Sequence, residues 1–380
     1  MGAFDKLKDL TAQMHLEPAE EAACHLGAQP KKPAGMIHPA VMPNGRQIKL
    51  LKTLLTSACE RNCYYCPFRA GRDYRRTTFS PDEMAATFNL LHQKGQVEGL
   101  FLSSGIAGGG VRTQDKLIDT AEILRKKFNF DGYLHLKIMP GAERDQVFRA
   151  MQLADRVSVN LEAPNTERLQ RLAPRKQFLD ELLEPLKWIE EIRRTSSPSS
   201  SWKGRWPSSV TQFVVGAVGE SDVELLRTSE YLYRQLRLRR TYYSAFSPIP
   251  DTPLENLPST PAVREHRLYQ ASFLLRDYHF AMEELPFNGQ GNLPHDTDPK
   301  LAWAQIYLAE NPVEINRAGR QELMRVPGIG PKGANEIIKY RLLNKLSNTA
   351  DLRKIGINPK HAEPYILLNG RRPEHQLTLW

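Results

Sequence analysis

Between residues 47 and 249 the chain alternates short, uniformly apolar runs with longer runs whose apolar positions recur every three or four residues. The short runs are QIKLLKTLL (47–55), VEGLFLSSG (97–105), YLHLKIMPG (133–141), RVSVNLEAP (156–164), VTQFVVGAVG (210–219) and RRTYYSAFSPI (239–249). They read as strands apolar on both faces, as in a parallel sheet. The periodic runs between them read as helices, among them TQDKLIDTAEILRKKF (113–128), QFLDELLEPLKWIEEIRR (177–194) and SDVELLRTSEYLYRQLR (221–237). Local chemistry supports one helix start in detail. Ser80 is placed to cap, Pro81 suits the first helical position, and Glu83 completes a capping box. That helix should run to about Lys94 and stop at Gly95.

Six strand–helix units in series predict an α/β fold with a parallel sheet, closed or partly closed. Six are too few for the eight-fold barrel, which leaves a partial (β/α)6 TIM-like barrel, with a doubly wound sheet as the alternative. The predicted domains are an N-terminal extension (1–45), the barrel (46–285), a connector rich in Pro, Asn and Asp (286–310), a small all-α module (311–370) and a tail (371–380). The Ser- and Trp-rich stretch SSPSSSWKGRWPSS (196–209) reads as an insertion between the fourth helix and fifth strand, either a linker or a functional loop.

Charge adds a second theme. Lys and Arg number 52 against 43 Asp and Glu, a formal charge of +9. The excess clusters at 69–76 (RAGRDYRR), 193–205 and 234–240 (RQLRLRR), which points towards a polyanion. No apolar run reaches membrane-span length, and the N-terminus has no basic, apolar-blocked leader, so a cytoplasmic, reducing location is expected. Four cysteines of unrelated spacing do not form a disulfide framework.

Three of the four stand together in ACERNCYYCPFR (58–69), directly after the first strand. Functional residues of such barrels sit on the loops at the C-terminal ends of the strands. A structural zinc site takes four ligands, and no fourth Cys or His lies close by in sequence. A cubic four-iron cluster held by three thiolates instead leaves one iron open to an outside ligand. The pattern Cys59-x3-Cys63-x-Tyr65-Cys66 resembles the signature of the radical S-adenosylmethionine (SAM) enzymes. The resemblance implies a 4Fe–4S cluster on Cys59, Cys63 and Cys66, with SAM chelated at the open iron. It implies reductive cleavage of SAM to a 5′-deoxyadenosyl radical that abstracts hydrogen from substrate, with electrons from a flavodoxin or ferredoxin.

The same resemblance assigns SAM contacts. Tyr65 would lie against the adenine. Ser103-Ser104-Gly105 stands where the family often has Gly-Gly-Glu on the methionine amine; hydroxyls and carbonyls can still accept from an ammonium. Asn160 and Glu162 alternate with Val159 and Leu161, so they share one strand face, suited either to ribose hydroxyls or to a strand-end hydrogen bond. Gly216 and Gly219, in VGAVGES, resemble the family's Gly-x-Gly-Glu-Thr segment with one residue added, and either approach the adenine or turn the chain. Cys24 stands apart as a buried apolar residue, a relay or a cluster-proximal thiol, and one spare cysteine does not make a second cluster.

Beyond residue 311 the pattern changes. In VEINRAGRQELMRVPGIGPKGANEIIKYRLL (313–343) a short helix meets Pro327-Gly328-Ile329-Gly330, and a second helix starts near Pro331. Gly328 and Gly330 expose amides at a helix start, an anion pocket with Lys332 and Lys339 beside it. The segment resembles a helix-hairpin-helix, with a weaker second copy over Thr349–Lys360 in which Asn358 replaces the second glycine. Asn tolerates positive φ, so the turn is expected to survive. Tandem hairpins imply sequence-nonspecific contacts to a DNA backbone through Gly328, Gly330, Lys332, Lys339 and Lys360.

Radical cluster and hairpins together resemble a family of DNA modification or repair radical SAM proteins, associated with a uracil-DNA-glycosylase-like partner. The resemblance implies hydrogen abstraction from a nucleotide in DNA, with the target flipped into the barrel mouth. An RNA-modifying radical SAM enzyme and a non-enzymatic iron–sulfur or zinc redox sensor on DNA are the rival readings.

Overall fold

A computed structural model of the chain describes residues 2–12, 14, 36–42 and 45–373. Cys24 and the last residues of the tail lie outside the described residues. Two compact units emerge, Met1–Glu220 with Tyr231–Pro261, and Ser221–Glu230 with Ala262–Trp380.

In chain order the first unit opens with helix α1 (Ala3–Thr11) and strands β1 (Ile37–Val41) and β2 (Gln47–Leu54). Then come α2 (Pro81–Gln93), β3 (Gly99–Ser103), α3 (Gly110–Glu122), β4 (Tyr133–Lys137), α4 (Arg144–Leu153), β5 (Arg156–Ser158), α5 (Thr166–Leu172), α6 (Glu184–Thr195) and β6 (Ser208–Val215). Helix α7 (Asp222–Gln235) precedes β7 (Arg240–Ala245). Among the described residues these strands form one seven-stranded sheet in the order β1 to β7. β1 is antiparallel to β2, and every later pair is parallel. Sequential order with crossovers of one hand places the helices on one face, so the sheet curls into a half-barrel.

The six parallel strands are those read from the sequence. β1 is an addition, contributed by the segment taken as an extension, and it covers the edge that β2 would otherwise expose. The capping box on α2 is formed: Ser80 Oγ accepts from the Glu83 amide at 3.2 Å, and Glu83 Oε2 accepts from the Ser80 amide at 2.9 Å. The helix ends at Lys94 with Gly95 at φ +67°.

The expectation of strands apolar on both faces holds in part: Thr53, Ser209, Thr211 and Thr241 interrupt the outward face, and Leu50, Leu54, Phe101, Val210 and Val214 share the inward face with polar residues. Leu51, Leu100, Leu102, Leu134, Leu136, Val157 and Phe213 are buried at outward positions. The alternate, inward positions carry Lys52, His135, Lys137, Arg156, Ser158, Gln212 and Arg240, also buried. Periodicity cannot distinguish a second apolar face from a polar lumen when long polar side chains are interspersed singly.

The Ser-rich insertion is a folded strap. The Trp202 amide donates to Gln152 O at 2.7 Å, its indole to Asp131 at 3.2 Å, and Lys203 Nζ to Asp155 at 2.8 Å. Asp131 and Asp155 precede β4 and β5, so the strap lies at the strands' N-terminal ends, opposite the cysteine loop.

The second unit contains α8 (Ala262–Asp277), α9 (Pro299–Tyr307), β8 (Val313–Glu314), α10 (Arg320–Arg325), α11 (Pro331–Arg341), α12 (Thr349–Lys354) and β9 (Ile366–Leu367). Parallel pairing of β8 with β9 ties the start of the hairpin module to its end. The predicted connector 286–310 is partly structured: α9 starts within it, capped by Asp298, and buries Trp303 against Phe280. Among the described residues no helix is long and apolar enough to cross a membrane.

Candidate functional site

The cysteine loop leaves the C-terminal end of β2 and is stitched to its neighbours through the backbone. Glu60 N donates to Ile106 O at 2.8 Å, Gly105 N to Thr56 O at 2.7 Å, and Tyr64 N to Leu172 O at 2.9 Å. Arg61 bridges to Glu181 and to Arg175 O. Arg76 donates to the carbonyls of Ser57, Phe68, Arg69 and Arg72, and Arg72 to those of Pro67 and Pro250. The basic cluster 69–76, read as part of a polyanion track, thus spends two of its arginines organising the cysteine loop. Sequence cannot tell a guanidinium that neutralises phosphate from one that collects loop carbonyls.

Gly105 explains how the β3 loop reaches this one. A Cβ there would sit 2.3 Å from Ala58 O, so only glycine lets the two backbones meet. The contact seats Ile106 N 3.5 Å from Cys59 Sγ.

Cys59, Cys63 and Cys66 line one cavity of about 180 Å³ at the C-terminal ends of the strands. Tyr65, Ser103, Ser104, Gly105, Asn160 and Glu162 line the same cavity, so residues scattered over a hundred positions converge there. Gly216 and Gly219 are not part of that wall. Both have positive φ, and Gly216 packs where a Cβ would meet Thr260 Oγ1 at 2.0 Å. The Glu220 carboxylate accepts from the amides of Gly216 and Val218, which closes the turn. β5 ends at Ser158, so Asn160 and Glu162 stand just beyond it, with Glu162 at φ +65°.

Lys176, Lys137 and Met139 also line the cavity and were not singled out in the sequence. Lys176 Nζ lies 2.9 Å from Glu162 Oε1, with side-chain exposures of 9% and 5%. Burial pushes the Cys63 thiol up, and the Lys176 ammonium pulls it back. Cys66 is raised by burial and then by Cys63. Burial, and next the Glu162 carboxylate, hold the Tyr65 hydroxyl well above the ordinary phenol range. Lys176 is held charged: burial opposes the charge, but Cys63 and Glu162 outweigh it.

In the C-terminal module, α10 and α11 flank Val326–Gly330, with Gly328 at φ +80°. The first amides of α11, at Lys332 and Gly333, have no carbonyl within the helix to donate to, and Lys332 is exposed. Lys339 is exposed and 3.1 Å from Glu336. The second copy differs from expectation. Gly356 takes the positive φ, +77°, while Asn358 sits at φ −76° and caps a short 3-10 turn (Pro359–His361). Asn358 Oδ1 accepts from Lys360 N at 3.1 Å, so a side chain already occupies the amide that would face an anion.

Residues 53–232 match the radical SAM superfamily, and residues 309–364 match the helix-hairpin-helix motif. Residues 53–232 thus form a domain of the radical SAM superfamily. No curated protein matches the chain. Among solved structures it is similar to the FeFe-hydrogenase maturase HydG from Carboxydothermus hydrogenoformans, at 14% identity and a TM-score of 0.47, over 60% of this chain and 51% of that one. It is similar to methylornithine synthase (PylB), at 11% identity and 0.47, over 60% and 61%. It is similar also to coproporphyrinogen III oxidase (HemN) from Escherichia coli, at 14% and 0.36, over 59% and 51%. The chain thus spans about half the length of HydG.

The cofactors of the superfamily are a 4Fe–4S cluster and SAM, and the donor set of this radical SAM domain fits them. Three thiols carried by one loop and lining one cavity are the donor set of such a cluster, in which each thiolate takes a different iron. Asn62 Oδ1 and Glu162 Oε2 are buried without a hydrogen-bond partner among the described residues, the second in the cavity wall. The Glu162 carboxylate also faces the Tyr65 hydroxyl, so the polar wall of the cavity is shared by residues from two loops.

Proposed function

We propose that this chain is a radical SAM enzyme acting on a nucleotide in DNA, in modification or repair. When bound, the cluster and SAM supply a 5′-deoxyadenosyl radical that takes hydrogen from the substrate. Cys59, Cys63 and Cys66 hold the cluster. Tyr65, Ser103, Ser104 and Gly105 border the SAM site, and Asn160 and Glu162 offer it polar groups. Gly328, Gly330 and Lys332 grip a DNA phosphate in the first hairpin, and Lys339 and Lys360 add charge around it. The observation that carries the reading is the presence, in one chain, of a strand-end cavity with three thiols and a helix start with unclaimed amides behind a glycine turn.

A low-potential flavodoxin or ferredoxin is the expected electron donor, the cytoplasm the expected compartment, and a uracil-DNA-glycosylase-like protein the expected partner. The test is anaerobic reconstitution of the full chain, then incubation with SAM, dithionite and defined DNA duplexes, with detection of 5′-deoxyadenosine. Wild type should form it, and Cys59→Ala, Cys63→Ala and Cys66→Ala should each abolish it together with the cluster's visible absorbance. Stimulation by tRNA but not by DNA would overturn the DNA assignment; a variant lacking one of the three thiols that still forms product would overturn the cluster assignment.

A further inference from the structure

Helix α1 lies outside the residues that match the radical SAM superfamily, yet it is built against the cysteine loop. It packs on β2 and α2, and Leu7, Leu10 and Thr11 are buried there. Two charged side chains fix it further. Lys6 Nζ lies 3.0 Å from Glu83, the residue that also closes the α2 capping box, and 5.3 Å from the centre of the Phe79 ring. Asp9 Oδ2 accepts from the Thr77 hydroxyl at 3.0 Å and lies 3.5 Å from Arg75 Nε.

Thr77 and Phe79 belong to the limb that returns from the cysteine loop to α2. That limb is bonded to the strand end from which the loop departs. Ser57 N donates to Thr77 O at 3.0 Å, Thr77 N to Ser57 Oγ at 2.9 Å, and Phe79 N to Leu55 O at 2.9 Å. Cys59 follows closely after Ser57. The helix is therefore anchored to the base of the loop that carries all three thiols.

Met14, shortly past the end of α1, reaches the cavity itself. Its side chain is 1% exposed and lines the same space as Cys59, Cys63 and Cys66. Leu54 from β2, Phe68 from the cysteine loop and Ile249 from the segment after β7 supply other apolar parts of that wall. Leu7 and Leu10 already bury the apolar stripe of the helix, so Met14 is not needed to hold the helix down. An unbranched thioether chain fills irregular gaps of this kind. A cluster bound by thiolates carries net negative charge that grows on reduction. The apolar shell around such a centre sets both its potential and the access of solvent to it.

We propose that Met14, held in place by α1, seals the cluster cavity of this chain against solvent, so that the N-terminal helix is a working part of the cofactor site. The inference rests on the assignment of a cluster to Cys59, Cys63 and Cys66.

The test uses the anaerobically reconstituted full chain without SAM. Met14→Ala cuts back the wall, and Met14→Leu keeps its volume and apolar character. A double variant, Lys6→Met with Asp9→Asn, loosens α1 while leaving the cavity lining unchanged. Two quantities are measured on each: the rate at which EDTA bleaches the cluster's visible absorbance without oxygen, and the cluster's midpoint potential by EPR-monitored titration. Urea melts of the same samples check folding. Met14→Ala should bleach severalfold faster than wild type, and its potential should move to a less negative value, because water favours the more highly charged reduced cluster. The double variant should also bleach faster, and Met14→Leu should stay near wild type in both measurements. Wild-type bleaching and potential in Met14→Ala overturn the proposal, as does faster bleaching that Met14→Leu shares in full. If Met14→Ala melts well below wild type, the double variant decides, and wild-type bleaching there overturns the proposal. Failure of wild type to assemble any cluster removes the cluster assignment instead, and this inference with it.

Discussion

Lys176 Nζ and Glu162 Oε1 meet at 2.9 Å in the wall of the cysteine cavity, where the loop after β5 faces the loop after α5. Removing one partner of a buried pair strands the other charge and typically costs about 3–5 kcal/mol, whereas removing both costs less. Lys176→Met and Glu162→Gln should therefore each lower stability in anaerobic urea melts of the cluster-free chain by more than the double variant's loss would imply by addition. Additive losses would show that the two groups are not coupled.

Gly105 sets the spacing between the β3 loop and the cysteine loop. Gly105→Ala puts a methyl group 2.3 Å from Ala58 O, too close for side-chain adjustment to relieve, because the clashing atom is backbone. Overpacking of this kind costs about 1–3 kcal/mol. The expected outcome is a lower melting temperature together with reduced iron content after reconstitution. Normal iron content at wild-type stability would show that the two loops separate freely.

The hairpins should contribute unequally to DNA binding. Lys332→Gln should weaken duplex binding regardless of sequence and reduce the slope of log affinity against log salt by about one. Lys360→Gln should do less, because Asn358 occupies the amide at its turn. Asn358→Gly frees that amide at a capping cost of only a few tenths of a kcal/mol, so duplex affinity should rise. A fall in affinity would mean that Asn358 itself contacts the DNA.

Lys300 gives the second unit a pH dependence. Its ammonium donates to Ile329 O at 2.6 Å and lies over the Tyr278 ring, and burial pulls its pKa down to about 7, against the pull of Asp298. From about pH 7 to the usual lysine value near 10.5 the folded chain has released a proton that the unfolded chain still holds. Stability from this group therefore rises with pH across that window, and below pH 7 the burial penalty is present in full. The stability of wild type relative to Lys300→Met should increase between pH 7 and pH 9.5 in chemical denaturation. A constant difference would show that Lys300 titrates normally.

The order of strands and helices could be read along the chain because each parallel strand is a local apolar run, and each helix repeats with its own period. The spacing Cys59-x3-Cys63-x2-Cys66 could be read for the same reason: one loop carries the whole donor set. Gly328 and Lys332 likewise lie within five residues of one another. Convergence was of another kind. Lys176 joins Glu162, Gly105 admits Ala58, and Arg76 gathers four carbonyls, and none of these pairings leaves a periodic trace, since each is made between irregular segments that only the folded chain brings together. The inward direction of Lys137, Arg156 and Arg240 was also settled by folding alone. Alternation tells which residues share a face, but only curling of the sheet decides which face becomes the lumen.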